Sequence, residues 1–553
     1  MKESSVQNIS VAIVGGGPVG LMLALFLDRH GVRSVVFNTE PSVRIHPKGS
    51  THNSRTMEHY RRLGFAPRVR ALGLPPDHPT DSVYMTGFQG HELARLRMPS
   101  EREKMAQVAA SPIDDQVPEP IHRANQMYVE QVLFAQAAAR PNITLRYGWQ
   151  VTAVMQDADG VSLTAESDDG QREEWRAAYV AGCDGGRSFV RRSLGIAYEG
   201  HAALDQPFFG QNMVSTYIRT PALYGDIVKP EQRAWQYWFV NPRFRTAMVA
   251  LNGADEFIIW TRRAGPDAPI DDRAIARMLS DAAGADIPVE IIAHGVWTGG
   301  VALHAEGFGE GRIWLAGDAI HLFTPTGGFG MNTGIDDVAN LAWKLAARVQ
   351  GWGGPALLAS YASERKPIAV RNTAASRALA KNVGDVPVPP DLESPSMAGA
   401  AARREVGAFL STFGEEFASL GVQLGARYDG SPIIAEDGTP PPDDFVRYRP
   451  SGVPGGRAPH LWIGAGRGAA DSLFDRFGVG FTLLRFGVES GAALIEAAAA
   501  RGIPLTVVDA MLPAARALYG RDLALIRPDQ HVAWRGDTAP ADADALWAKL
   551  TGF

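Results

Sequence analysis

The chain has 553 residues, 54 Lys and Arg against 60 Asp and Glu for a formal net charge of −6, and a single cysteine. Its length suggests three or four domains, and a 45% hydrophobic, 21% charged composition excludes a disordered chain. The lack of a long basic run argues against nucleic acid or an anionic membrane as partner, and one cysteine rules out intrachain disulfides, dithiol redox pairs and cysteine-rich zinc sites.

The first apolar segment, Val11 to Gly17 (VAIVGGG), is a β-branched run ending in glycine, as a buried parallel strand should be. Leu21 to His30 reads as a buried helix closed by Gly31, and Ser34 to Phe37 as the next strand, so the chain opens on a βαβ unit. Residues 76–119, rich in Pro, Asp and Glu, read as loop with short strands. Met127 to Ala139 reads as a helix, and Gln150 to Val180 as an antiparallel meander. WQYWFV, TAMVAL and EFIIW, between residues 205 and 263, are further strands. Arg312 to Ala319 (RIWLAGDA) is another buried strand, followed by a Gly-rich turn and a helix from about Thr333 to Val349. A Pro-rich stretch follows from Val383 to Gly399, a second spans Thr439 to Pro459, and the last hundred residues alternate strand and helix as a small α/β domain. No apolar run reaches the ~18 residues of a membrane helix, and the start MKESSVQNIS has no signal-peptide core, so a cytoplasmic protein is expected.

Glycine makes up 59 of the 553 residues, about 11% against a usual ~7%, and its positions carry the functional reading. Gly15, Gly17 and Gly20 form G-x-G-x-x-G between the first strand and helix. They permit in turn a tight turn, close approach to a pyrophosphate, and helix–strand contact, with Pro18 opening the helix whose N–H groups face the phosphates. The ribose ligand at the end of the second strand is Asn38 or Glu40, flanking Thr39; Asn38 is favoured because it directly follows the strand. A second cluster, Leu315 to Leu345, joins strand to helix through Gly317, Gly327, Gly328, Gly330 and Gly334, so backbone can lie against a flat ligand. There Asp318 can accept hydrogen bonds from ribityl hydroxyls, and the N–H groups of Met331 and Asn332 can stabilise negative charge on a ring. A third cluster, Ala181 to Ile196, gathers Asp184, Gly185, Arg187, Ser188 and Arg191 beside a strand end.

Together these clusters resemble the class A FAD-dependent aromatic hydroxylases, the p-hydroxybenzoate and phenol hydroxylase superfamily, over nearly the whole chain. The run GDAIHLFTPTGGFGMNTGIDDVANLAWKL is specific to that family. By this resemblance Asp184 and Gly185 match its Asp-Gly motif, Gly317 and Asp318 its Gly-Asp motif, and Arg44, Arg123 and Gln126 further FAD contacts; Pro325, Gly328, Gly330, Met331 and Asn332 border the flavin. The last hundred residues are similar to the branch containing 2,4-dichlorophenol 6-monooxygenase and polyketide-tailoring hydroxylases.

The implied fold is α/β (α+β). A Rossmann-like FAD-binding domain of the glutathione-reductase type takes residues 1–75, 105–185 and 290–385, and a β-sheet substrate domain takes 76–104 and 186–289. Residues 386–449 are a linker with helices, and 450–553 a thioredoxin-like domain that, without a thiol pair, does packing or dimer support. A homodimer is expected.

The implied cofactors are FAD, NADPH or NADH as co-substrate, and O2. The implied reaction is hydroxylation of a small phenolic aromatic, ortho or para to its hydroxyl, through a flavin C4a-hydroperoxide; the alternative is epoxidation or a Baeyer–Villiger-type step on a natural product. A halogenase is disfavoured because W-x-W-x-I-P is absent, and a non-catalytic flavin sensor would not need so large a middle domain. Some family members have an aspartate base where this chain has Ser50, so His46, His52 and Tyr237 are the candidates for substrate deprotonation. Trp235, Tyr237, Phe239 and Trp297 are the candidate walls of a dry substrate pocket, although strand alternation lets only one of the sets Trp235/Tyr237/Phe239 or Gln236/Trp238 face it.

Overall fold

The computed structural model describes residues 6–201, 212–263, 265, 267–297, 301–464 and 472–553. The opening βαβ unit forms as expected: strand Gln7–Val14, helix Pro18–Arg29 and strand Ser34–Asn38. Gln7–Val14 lies in parallel between Ser34–Asn38 and Arg172–Gly182, with Ile143–Tyr147 and Ile313–Leu315 extending the parallel core on either side. Val11–Val14, Ser34–Phe37 and Ile313–Leu315 are buried throughout, which explains their apolar runs. Trp149–Gln156 and Val161–Ser167 form the antiparallel meander that leads back into this sheet through Arg172–Gly182.

A second, seven-stranded sheet runs in the order Glu290–Trp297, Met213–Arg219, Glu256–Arg262, Arg245–Ala250, Gln236–Val240, Ser82–Met85, Glu92–Leu96. Glu290–Trp297 pairs with Met213–Arg219 along its length, so the substrate-side sheet reaches past the expected boundary at 289. Helix Asp272–Ala283 covers one face of this sheet, burying Ile275 and Leu279 against Tyr237, Phe239 and Phe88. The stretch read as loop, 76–119, also contains helix Glu101–Ala109, started by a capping box in which Ser100 Oγ accepts from the Glu103 N–H and the Glu103 carboxylate from the Ser100 N–H.

The stretch expected to be a linker with helices carries a helix that packs on the second sheet. Helix Met397–Leu410 and the 3₁₀ turn Ser411–Glu416 pack Val406, Leu410 and Phe413 against Tyr84 and Trp238 of the second sheet. The C-terminal unit runs strand–helix–strand–helix–strand–strand–helix, Phe481–Arg485 to Ala543–Thr551. Its strand order places the second strand outside the first, with the third antiparallel to the first, which is the thioredoxin-like topology. Cys183 lies in the first unit, remote in the chain from this domain, and burial holds its thiol protonated.

The long helix Phe329–Gln350 joins these parts. Asn332, Asp336, Asn340 and Lys344 recur at i+4 and so share one face. Asp336 takes Arg365 (2.6 Å), Arg55 (3.2 Å) and His59 (3.1 Å); Lys344 reaches Glu364 at 2.6 Å. Glu364 in turn receives both arms of Arg527, which also holds Asp529, and Glu58 pairs with Arg457. These groups are buried, so each charge depends on its partners: desolvation penalises every one, and removing a single member strands the others. Burial alone would raise the Glu364 carboxyl, but Arg527 and Lys344 outweigh it and hold the group at about 2, against an ordinary 4.5. Glu364→Ala is expected to cost on the order of 3–5 kcal/mol, read as a lowered first unfolding transition in calorimetry. Since the folded-state value is depressed, the contribution of Glu364 to stability is complete above about pH 4.5 and is lost as pH falls towards 2, so wild type and variant should converge in acid.

Candidate active site

A groove of about 400 Å3 runs along the C-terminal ends of the parallel strands. Gly15, Gly17, Pro18, Asn38, Thr39, Arg44, Gln126, Asp184, Gly185, Asp318 and Met331 line it, so most of the residues expected to hold the cofactor come together in space. Gly15 has φ +111°, and a Cβ there would strike the carbonyl of Cys183. Gly17 has open space around it, which leaves its backbone accessible from the groove. Gly20 lies directly against the Gly15 carbonyl, so its work is helix–strand contact. Asp184 accepts the Val190 N–H on Oδ2 at 3.1 Å, while its buried Oδ1 has no protein partner and burial pushes the carboxyl up. A buried acceptor without a donor, beside an exposed Asp318 and a glycine turn at a helix N-terminus, fits a dinucleotide whose ribose and ribityl hydroxyls donate and whose phosphates accept.

Other expected cofactor residues act from behind the groove. Asn38 uses its side chain to brace the turn, accepting the Gly16 N–H and donating to the Glu40 carbonyl, both at 3.1 Å. The Glu40 side chain is exposed and does not line the groove, so of the two ribose candidates only Asn38 is in place. Gly317 packs against Val19 with φ +62°, and Gly330 faces Phe323. Asn332 ties the helix start to Thr51 and Asn53 through its amide, presenting backbone rather than side chain to a ligand.

A second cavity of about 420 Å3 meets the groove at Lys48 and Asp318, which line both. Its floor is the second sheet: Gln236 pairs with Val249, Val249 with Ile258, and Ser215 with both Trp260 and Gly295, so these residues share one face and all line the cavity. Trp235, just before the strand, lines it too, with the Arg123 guanidinium 3.9 Å above its ring. Pro325, Gly327 and Gly328 close the side towards the groove, and Phe323, Phe417, Glu416 and Ser419 the remainder. Arg123, expected at the FAD, faces this cavity and donates to Thr51 Oγ1; burial pushes it down to about 9.

The deprotonation candidates separate sharply. His52 is fully buried, with Nδ1 3.1 Å from the Tyr60 hydroxyl and Nε2 3.1 Å from the Ala124 carbonyl; burial pushes it down to about 3, and it does not reach the cavity. Tyr237 points to the opposite face of its strand, where its hydroxyl lies 2.8 Å from Tyr224 and accepts the Ala234 N–H; burial pushes it up to about 12. Phe239 shares that face and packs on Phe88, so the set Gln236/Trp238 faces the cavity side and Tyr237 and Phe239 are core. His46 lines the cavity, but Nε2 is held 2.9 Å from Ser215 Oγ and Nδ1 is sealed without a partner; burial and Lys48 push its pKa down. The side chain of Trp297 lies outside the described residues. Ser50 does line the cavity and accepts from Asn125 Nδ2 at 3.0 Å.

Sequence reasoning missed Glu416 and Phe417, because the stretch around them was read as linker. A signal was present: Phe409, Phe413, Glu416 and Phe417 recur at i, i+4, i+7 and i+8, which places a carboxylate on an apolar stripe.

A nucleotide groove on a parallel sheet, opening into an aromatic cavity on a second sheet, defines a flavoprotein monooxygenase. Residues 8–376 match the family model described as an FAD binding domain and residues 451–552 that of the aromatic-ring hydroxylase C-terminal domain. The FAD-dependent monooxygenase apdD of Emericella nidulans is 32% identical, aligned over 100% of this chain and 92% of its own. The solved structure of RebC with bound 7-carboxy-K252c superposes with a TM-score of 0.87 at 32% identity, over 99% of this chain and 100% of that one. Aklavinone-11 hydroxylase in complex with FAD and aklavinone gives 0.80 at 28%, over 99% and 100%. The chain belongs to the FAD-dependent aromatic-ring hydroxylases, in the branch that includes phenol, dichlorophenol and polyketide hydroxylases. Among the described residues no helix is long and apolar enough to cross a membrane.

Two outcomes test this placement. Gly17→Leu has room for its Cβ but projects a side chain at the groove, so the variant should fold and purify with at least tenfold less FAD, measured by flavin absorbance. Tyr237→Phe removes a core hydroxyl only, so kcat/KM should stay within twofold while Tm falls by a few degrees.

Proposed function

We propose that the protein hydroxylates a multi-ring phenol at a carbon ortho or para to its hydroxyl, consuming NADPH or NADH and O2. The observation that carries this is the cavity: about 420 Å3, walled by Trp235, Trp260, Phe323, Phe417, Val249 and Ile258, and sharing Lys48 and Asp318 with the cofactor groove. An apolar cavity of ~150 Å3 takes up a single benzene ring, so this one suits several fused rings. Bound FAD, once reduced by the nicotinamide, would activate O2 and supply one oxygen atom.

The chain's own residues do the rest. The Gly17 N–H and the first N–H groups of the helix behind it hold the pyrophosphate, and Asp184 and Asp318 accept hydrogen bonds from the sugar and ribityl hydroxyls. The first N–H groups of Phe329–Gln350 lack intrahelical partners and stabilise negative charge at the ring's edge. Trp235 and Trp260 hold the substrate plane and, with Phe417, exclude water, which would otherwise divert the activated oxygen to peroxide. Arg123, stacked on Trp235, fixes that wall.

The deciding experiment follows reduced-nicotinamide consumption and product mass over a panel of one- to four-ring phenols with the yellow holoenzyme. The expected result is one added oxygen on a ring carbon, tightly coupled to nicotinamide oxidation and best with several rings. Nicotinamide oxidation yielding only peroxide with every phenol would sink the proposal, and oxygen inserted into a ring would replace it with a Baeyer–Villiger-type step. Trp260→Ala should raise KM for the best phenol about tenfold, the loss of roughly one aromatic contact, without loss of FAD.

A further inference from the structure

We propose that Glu416 is the base of this site: its carboxylate takes the proton of the substrate's reacting hydroxyl from across the cavity. The proposal rests on the phenol reading above and names a residue from a segment that neither sheet contains. Glu416 ends the turn Ser411–Glu416, is buried, and lines the aromatic cavity together with Pro325, Gly327 and Gly328. Its one hydrogen bond among the described residues is the Gly327 N–H donating to Oε1 at 3.1 Å, which leaves Oε2 for a ligand. That bond ties the carboxylate to the loop that closes the cavity on the cofactor side, so the base, the loop and the substrate ring are held in one register.

Chemically, the substrate O–H bond breaks, its electron pair stays on the ring oxygen, and the proton forms a new O–H bond on Oε2. The resulting phenolate directs charge to its ortho and para carbons. A base works best with a pKa near the operating pH. Burial pushes Glu416 up to about 7, with the Gly327 N–H and Arg123 opposing the rise. An ordinary glutamate carboxylate, near 4.5, would be a much weaker acceptor.

The charged and titratable groups around it are few. Arg123 lies over Trp235, and its positive charge and the Glu416 carboxylate act on each other. Tyr84, on the neighbouring strand, has a hydroxyl that burial and the Glu416 charge push up. Across the cavity stand His46, Lys48 and Asp318. His46 is the remaining candidate by position, but both its ring nitrogens are turned away from a ligand, one to Ser215 and one into protein.

The test uses the FAD holoenzyme and 2-naphthol as probe, with two readouts. The first is the ionisation of bound 2-naphthol, followed by difference absorbance as pH is varied. The second is kcat/KM for its hydroxylation. Wild type should bind naphthol with an apparent ionisation at least tenfold easier than in free solution, and kcat/KM should rise through about pH 7. Glu416→Gln keeps an acceptor for the Gly327 N–H; it should lose the eased ionisation, lose ~10²-fold or more in kcat/KM, and shift the rising limb up to the ionisation of naphthol itself. Glu416→Asp should recover a measurable part of both. Unchanged naphthol ionisation and rate in Glu416→Gln would overturn the assignment. So would a rate loss that Glu416→Asp does not relieve while bound naphthol still ionises normally, since that is a structural effect. A wild-type holoenzyme that neither binds nor oxidises naphthol or any other phenol is a different failure, that of the phenol reading itself.

Discussion

The structure depends on one buried polar stripe. Asn332, Asp336, Asn340 and Lys344 recur every fourth residue along Phe329–Gln350 and face groups from three other parts of the chain. The first turn of the same helix carries Met331 at the cofactor groove, and its later turns hold Arg527 and Asp529 of the C-terminal unit through Glu364 and Asn340. Buried charges tolerate almost no displacement, because each lost partner leaves a desolvated ion. The thioredoxin-like unit thus acts as a clamp on the helix whose first turn lines the groove. That gives it a mechanical role which needs no thiol chemistry, consistent with a lone cysteine that lies elsewhere and is held protonated by burial.

The second constraint is the two-residue repeat of a β-sheet. Gln236, Val249, Ile258, Trp260 and Ser215 pair across the sheet and must lie on one face, which becomes the cavity floor. Tyr237 and Phe239 must then lie on the other face, under helix Asp272–Ala283. The same rule that makes aromatic strands attractive as cavity walls therefore sends half of their aromatic residues into ordinary core. Trp235 escapes the rule because it precedes the strand, and Arg123 holds it in place from above.

Local signals made much of this legible. Glycines with a steric task were readable from spacing: Gly15 at φ +111° against Cys183, Gly20 against the Gly15 carbonyl, and the open Gly17 all sit where the G-x-G-x-x-G pattern places them. The strand Glu290–Trp297 lies past the expected domain boundary at 289 because its pairing partner is about eighty residues away, at Met213–Arg219, and leaves no mark in its own sequence. His52 looked available because it follows the cofactor strand, yet Tyr60 and Ala124 enclose it. Glu416 looked like linker because its partner, Gly327, is 89 residues upstream.

By itself, then, the sequence determined the glycine turn after the first strand, the strand–helix punctuation and the family, each from residues adjacent or near-adjacent in the chain, and, from the cysteine count, the lack of an intrachain thiol pair. Only the tertiary structure decided which face of the second sheet meets the ligand, which histidines are sealed away, and which carboxylate enters the cavity. Those are outcomes of packing between segments that are mostly far apart in the chain, such as Gly327 and Glu416, 89 residues apart, where burial and pairing set both the direction a side chain points and the ease with which it carries charge.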